Sequence, residues 1–257
     1  MIREKLIEKS IGEDHKFRWR SHEPSRIEGL SDAVFGFAVT LLVVSLEVPK
    51  TYAELIQAMR GFGAFAISFT LLLVVWFTQY KFFRRYGLKD TFTVVLNAAL
   101  LFVVLFYVYP LKFVFTFLIS LVTGHRGELY LTNGEKILMV ESGDQVATLM
   151  VIFGIGYMAV FGLFILLYRR AYGKREQLDL NELEIFDTRT DIRESMINVG
   201  IAAVSVALGL ARYGSLAGMT YMVTPIVMMV HGKATGRKRR GIEQRLGFHE
   251  NAMFERS

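Results

Sequence analysis

The chain has 257 residues, 53% of them hydrophobic, a formal charge of +6 and no cysteine. The lack of cysteine excludes a disulfide framework, a thiolate metal site and a thiol nucleophile, and the five histidines (His15, His22, His125, His231, His249) show no ligand spacing, so no metal and no cofactor is expected. The apolar residues are gathered in long blocks with charges between them, which points to a membrane protein and, from where the cations fall, away from nucleic acid.

Residues 1–29 are polar and charged and read as a cytoplasmic N-terminal segment without a cleavable signal peptide. Six blocks then approach the roughly 20 apolar residues needed to cross a bilayer core. The first covers about 30–48 and the second about 58–82, with GFGAFAISFTLLLVVWF at its heart. The third, about 92–117, is expected to bend or break at Pro110. A polar, glycine-containing loop over 121–145 leads to the fourth span, about 146–168, where Gly154-Ile155-Gly156 reads as close helix packing, not as a nucleotide loop. The linker 169–195 mixes both charge signs and reads as helix plus turn. The fifth and sixth spans, about 196–212 and 215–230, are joined by Arg-Tyr-Gly-Ser as an antiparallel hairpin, with Pro225 bending the sixth. A basic tail over 233–257 is suited to anionic lipid headgroups at the inner leaflet.

Lys and Arg set the orientation. Of 30 such residues, 24 lie in 1–29, 81–89, 169–193 and the stretch from 232 onward. The positive-inside rule places both termini and two loops in the cytoplasm. The fold class is therefore an all-α integral membrane protein with six transmembrane helices, multi-pass in the cell inner (plasma) membrane, its transmembrane domain spanning 30–232. Span length and the lack of period-two alternation exclude barrel strands.

Polar residues interrupt this apolar frame. Ser31 and Asp32 sit where the first span begins, and either could cap a helix there. With alternating span directions, Asp32, Trp76, Gln79 and Asn97 fall within roughly 10 Å of one depth, at about 1.5 Å per residue. Polar groups in lipid are costly and should meet one another. A network of Arg26, Ser31, Asp32, Trp76, Gln79 and Asn97 is expected to lock the first three spans together, with Arg26 folding back on Asp32. Phe37, Thr40, Leu41 and Val44 fall at i, i+3, i+4 and i+7 and share a stripe. A hydroxyl on such a stripe bonds a carbonyl one turn back or faces a helix interface or a pore. Glu47 at the outer end of that helix is a solvated charge or part of an acidic ring.

Arg26-Ile27-Glu28-Gly29-Leu30-Ser31-Asp32 resembles the R-x-x-x-F-S-D signature of the transmembrane protein 175 family of potassium channels. The following AVFGFAVTLLVV resembles the first helix of that family, and Ser68, Phe69, Trp76, Phe83, Asn97 and Pro110 extend the likeness to about residue 115. The resemblance implies a homotetramer in which helix 1 of each subunit lines a central pore without a carbonyl filter. It implies pore constrictions at Phe37, Leu41 and Val44, a ring of Thr40 hydroxyls, and interhelical bracing by Arg26, Ser31, Asp32, Trp76 and Asn97, with K⁺ as the permeating ion. Three positions depart from the pattern. Leu30 replaces the signature Phe. Gln79 and Tyr80 stand where histidines are common, and Gln keeps hydrogen bonding but loses titration. Phe37 stands where an aliphatic residue is usual, and four phenylalanines around a pore seal it or gate it differently. A secondary transporter and a non-conducting membrane scaffold stay open as alternatives; neither a Ser–Lys dyad nor a His-Glu-x-x-His motif supports an enzyme.

Overall fold

A computed structural model of the chain describes residues 17–246, apart from 22, 45–49, 53–54, 57–58, 60, 123–127 and 131–135. The elements, in chain order, are α1 (Arg26–Val44), α2 (Phe62–Tyr86), α3 (Thr91–Val122), β1 (Glu128–Tyr130), β2 (Lys136–Leu138), α4 (Gly143–Gly173), α5 (Glu182–Leu210), α6 (Gly214–Met219), a 3-10 turn (Thr220–Val223) and α7 (Thr224–Arg245). Among the described residues, four helices, α2 to α5, are long and apolar enough to cross a membrane. Phe102 and Phe106 on α3 are more than two-thirds exposed, as suits a surface facing acyl chains.

Helix α1 begins four residues before the apolar run does. Ser25 and Glu28 form a reciprocal capping pair: the Glu28 amide donates to Ser25 Oγ at 3.3 Å, and the Ser25 amide donates to Glu28 Oε1 at 2.9 Å. The expectation that Ser31 or Asp32 caps the helix is thereby corrected. Both lie inside it, in its second turn, where their side chains are free to reach other helices. Pro110 does not interrupt α3, which runs 32 residues through it. The 121–145 loop contains a hairpin, with Leu129 opposite Ile137, that its composition did not signal. The fifth span is one 29-residue helix that begins in the expected linker, because Asn181 and Glu184 make a second capping box there. The segment expected as a single sixth span is divided into α6, the 3-10 turn and α7. Pro225 starts α7 and bends nothing; in a first turn its missing N–H has no partner to lose.

Tight and loose seams alternate. A Cβ on Gly154 would strike Val206 of α5, and one on Gly156 would strike the Tyr107 ring of α3, so α4 approaches both neighbours at backbone distance. The core on one side gathers Phe35, Leu42, Phe82, Leu100, Phe164 and Leu167 around α1 to α4. A smaller cluster holds Tyr107, Val114, Met150, Phe153 and Ala217.

The basic end of the bundle is held by ion pairs. Phe17 is fully buried, edge-on to Tyr86 at 5.6 Å and beneath the Arg85 guanidinium at 4.6 Å. Arg20 Nη2 meets Glu184 Oε2 at 2.6 Å, and Arg85 Nη1 meets Asp191 Oδ2 at 3.1 Å. Helix α7 continues without a break into the stretch read as a tail: Arg239 Nε donates to Asp187 Oδ1 at 3.0 Å and Arg245 Nη2 to Glu182 Oε1 at 2.9 Å. Part of the basic tail is thus spent on acids of α5, and only the remainder is open to headgroups.

Asp90, between α2 and α3, accepts from Arg170 Nη2 and Lys174 Nζ, each at 3.0 Å, and from Thr93 Oγ1 at 2.9 Å. Desolvation raises the Asp90 pKa, but the bonds from Lys174, Thr93 and Arg170 together outweigh it and bring the carboxyl from 3.8 to about 2. A depressed carboxylate contributes stability that is complete above its unfolded pKa and is lost as pH falls through the folded value. Asp90→Asn is therefore expected to lower stability by about 1–2 kcal/mol at neutral pH. The gap to wild type should close between pH 3.8 and about 2, as followed by thermal unfolding of the detergent-solubilised protein.

Candidate functional site

The two sides of α1 face different surroundings. Ser31, Phe35, Ala38 and Leu42, spaced at helical intervals, are buried against α2 and α3. Asp32, Ala33, Gly36, Phe37, Thr40 and Val43 are exposed, Phe37 by 56%. A side chain added at Gly29 or Gly36 would meet nothing within 4 Å among the described residues, so the outward face is open at those two positions.

What fixes the rotation of α1 is a buried polar relay. Gln79 Nε2 on α2 donates to Asn97 Oδ1 on α3 at 3.0 Å. Asn97 Nδ2 donates to Ser31 Oγ on α1 at 3.0 Å, and Ser31 Oγ donates to the Ile27 carbonyl at 2.8 Å. Ser31, Gln79 and Asn97 are each at most 1% exposed. In an apolar surrounding such groups are costly unless each is partnered, and here each is. Beside the relay, Trp76 Nε1 donates to Asp32 Oδ1 at 2.8 Å, and its ring stacks on Tyr80 at 5.7 Å.

The remaining sequence candidates divide. Arg26 is exposed and makes no ion pair with Asp32 among the described residues; the carboxylate is already taken by the Trp76 indole, and the Arg26 side chain leaves the first turn toward the open face. The stripe of Phe37, Thr40, Leu41 and Val44 is split: Phe37 and Thr40 face outward, while Leu41 is half-buried against the main core. Thr40 Oγ1 donates to the Gly36 carbonyl at 2.9 Å. That bond uses its proton and leaves its lone pairs directed away from the helix. The Val44 side chain and Glu47 lie outside the described residues.

Two features escaped sequence reasoning. Lys112 Nζ on α3 donates to the Leu42 carbonyl at 2.9 Å and ties the far end of α1. A lone lysine two residues after Pro110 in an apolar run was the available signal, since a cation there must find an oxygen. The arm before α1 is expected only as a cytoplasmic segment, yet Arg20 N donates to the Arg84 carbonyl at 3.0 Å and the Arg20 side chain reaches Glu184. The aromatics Phe17 and Trp19, set among charges, were its signal.

Residues 26–107, which include the whole relay, match the family described as endosomal/lysosomal potassium channel TMEM175. A potassium channel of Marivirga tractuosa is 39% identical over 249 residues, 93% of this chain and 99% of the relative. A potassium channel of Chamaesiphon minutus is 31% identical over 105 residues, 38% of this chain and 52% of the relative. Among solved structures, a variant of the potassium channel MtTMEM175 crystallised with a nanobody–MBP fusion protein superposes with a TM-score of 0.75 at 38% identity, over 88% of this chain and 100% of that one.

The relay sets a ranking of substitutions. Asn97→Ala leaves the Gln79 amide without its partner in an apolar interior and removes the bond to Ser31, whose hydroxyl keeps the Ile27 carbonyl; it should cost about 2–4 kcal/mol. Asp32→Ala removes one partly exposed bond and should cost about 0.5–1.5 kcal/mol. Chemical denaturation in detergent checks the order; equal losses would show that the relay does not hold α1.

Proposed function

The chain belongs to the TMEM175 family, and from that premise we propose that it is a potassium channel, an ion channel and not an enzyme, whose path for K⁺ is built from the outward face of α1. The observation that carries this is the contrast between the two sides of that helix. One is locked by Ser31, Asn97 and Gln79, while the other is open at Gly36 and exposed at Phe37, and its Thr40 hydroxyl is engaged within its own helix. Four copies arranged with these faces toward a common axis would supply the missing partners for one another and enclose a path lined by α1. In this reading each chain crosses the inner membrane six times, its two termini are cytoplasmic, and residues 30–232 form the channel domain between a cytoplasmic segment over 1–29 and a basic tail over 233–257. The cations not used in ion pairs contact anionic headgroups. No cofactor is needed beyond the permeating ion.

Phe37 and Val44 form the constriction with the half-buried Leu41 at its edge, Thr40 an oxygen ring between them, and Glu47 an acidic outer mouth. Ser31, Asp32, Trp76, Gln79 and Asn97 brace the helices that carry it, and Arg26 on the open face meets a neighbouring subunit. A carbonyl filter replaces the hydration shell with fixed oxygens, and a hydrophobic ring cannot. It passes a mostly hydrated ion or excludes it by dewetting. K⁺ holds its water less tightly than Na⁺, so a narrow apolar ring costs K⁺ less. Four Thr40 oxygens beside the ring return part of that cost, because each hydroxyl proton is already engaged with Gly36 and the lone pairs remain for a cation. Selectivity by this route is modest.

Two substitutions test the arrangement in proteoliposomes. Phe37→Ala widens the constriction and is expected to raise K⁺ flux about tenfold, equivalent to about 1.4 kcal/mol at the barrier; unchanged or lower flux would remove Phe37 from the pathway. Thr40→Val keeps the shape and removes the oxygen. It is expected to lower the K⁺ over Na⁺ preference, read as a shift in bi-ionic reversal potential, and an unmoved potential would confine Thr40 to its bond with Gly36.

A further inference from the structure

Away from α1, three helical faces converge on a cleft that the conduction reading does not use. Helix α2 contributes Leu71, Val74, Val75 and Thr78, α5 contributes Asp191, Glu194 and Asn198, and α7 contributes Thr224 and Met228. Each set repeats at three- and four-residue intervals, so each is one face of its helix. Helix α2 packs chiefly on α1 and α3, and α7 on α5 and the 3-10 turn, so the two leave a gap between them. The cleft encloses about 350 Å³ over a floor of Val104, Val160 and Phe161. That lies within the roughly 300–1,000 Å³ of small-molecule sites. It joins a second apolar space of about 840 Å³ through shared walls at Leu71, Phe153 and Tyr157.

The walls are apolar, but the end toward the basic side of the bundle is not. Most polar groups there are already engaged. Asp191 pairs with Arg85, Asn198 Oδ1 accepts from Tyr157 Oη at 2.7 Å, and Asn198 Nδ2 donates to the Glu194 carbonyl at 2.9 Å. Two lining groups are left over. The Glu194 carboxylate is 39% exposed, with His231 Nδ1 behind the lining 3.6 Å from it, beyond hydrogen-bond reach, and Thr224 Oγ1 lies deeper. His231 Nδ1 and Thr224 Oγ1 are shielded from solvent and have no hydrogen-bond partner among the described residues. Buried orphans of this kind call for a partner that the chain does not provide.

We infer that this cleft binds a membrane phospholipid with a primary ammonium head, phosphatidylethanolamine. Its acyl chain lies along Val74, Val75 and Phe161. Its ammonium donates to Glu194, and the Thr224 hydroxyl, two turns deeper than His231 on α7, donates to an ester carbonyl. The carboxylate selects the amine-bearing head over one that carries only hydroxyls beyond its phosphate. The same carboxylate argues against an apolar helix of a second copy as the occupant, because it would be buried without a cation. The inference needs the chain only to be embedded in a membrane, not to conduct.

Native mass spectrometry of the full-length protein tests it. The protein is delipidated in detergent, then offered palmitoyl-oleoyl phosphatidylethanolamine or the matching phosphatidylglycerol, and the readout is bound lipid mass, independent of flux. Wild type should retain the ethanolamine lipid about threefold better, the scale of one partly exposed ion pair. Glu194→Gln should erase that preference while keeping a lipid bound. Val74→Trp, at the lip of the cleft where Val74 is 51% exposed, should lose the retained lipid without loss of fold. Equal retention of the two lipids by wild type, or an unchanged count in Val74→Trp, would overturn the assignment. So would retention by the monomer but not by the oligomer, which would give the cleft to a second copy.

Discussion

The bond from Asn97 to Ser31 is the contact on which the rest of this structure depends. Bilayer hydrocarbon offers helices little hydrophobic reason to associate, since lipid tails are as apolar as leucine. Packing and a few satisfied polar contacts must set the geometry instead. Asn97 is an amide with both ends engaged, one toward Gln79 and one toward Ser31, so it holds three helices at one depth and one rotation. Turning α1 by a single residue would rotate it about 100° and leave Asn97 Nδ2 without its acceptor on α1. The exposure of Phe37 and Thr40 on the opposite side follows from that rotation.

The basic end adds a second layer of constraint. Caps at Ser25–Glu28 and Asn181–Glu184 start α1 and α5. The second of these carboxylates also receives Arg20 from the arm that leads into α1. Glu184 is fully buried, and the Asn181 and Arg18 amides and the Arg20 guanidinium all donate to its carboxylate oxygens. The start of α1 is thus joined to the start of α5 by charge-assisted bonds, and the far end of α1 by Lys112 at Leu42. The helix with the open face is pinned at its base, in its second turn and near its other end.

Packing is uneven by design of the residues. Glycines at 154 and 156 bring α4 against α5 and α3 closely enough that no side chain fits between. Branched aliphatics on α2 and a proline-started α7 leave the opposite seam open. One seam gains dispersion contacts along its whole length, while the other retains unpartnered polar atoms at its edge.

Composition and periodicity alone determined that the chain is helical and membrane-embedded, and that Ser31, Asp32, Trp76, Gln79 and Asn97 lie at a common depth. These properties are legible because hydrophobic length and rise per residue are local quantities. The same reasoning located the dense glycine packing on α4. It could not place the start of α1, since Ser25 and Glu28 look like any polar pair until the backbone closes the capping box. It could not distinguish Thr40, which faces outward, from Leu41, which faces the core at its edge, because a stripe on a helix is defined before its rotation is. It assigned the basic tail with Arg239 and Arg245 to lipid and gave Phe17 no role, although their partners are supplied by residues more than fifty positions away. Only the tertiary structure decided these, because the free energy of a buried polar or charged group depends on which donor or acceptor stands within about 3 Å of it, and spacing along the chain does not contain that distance.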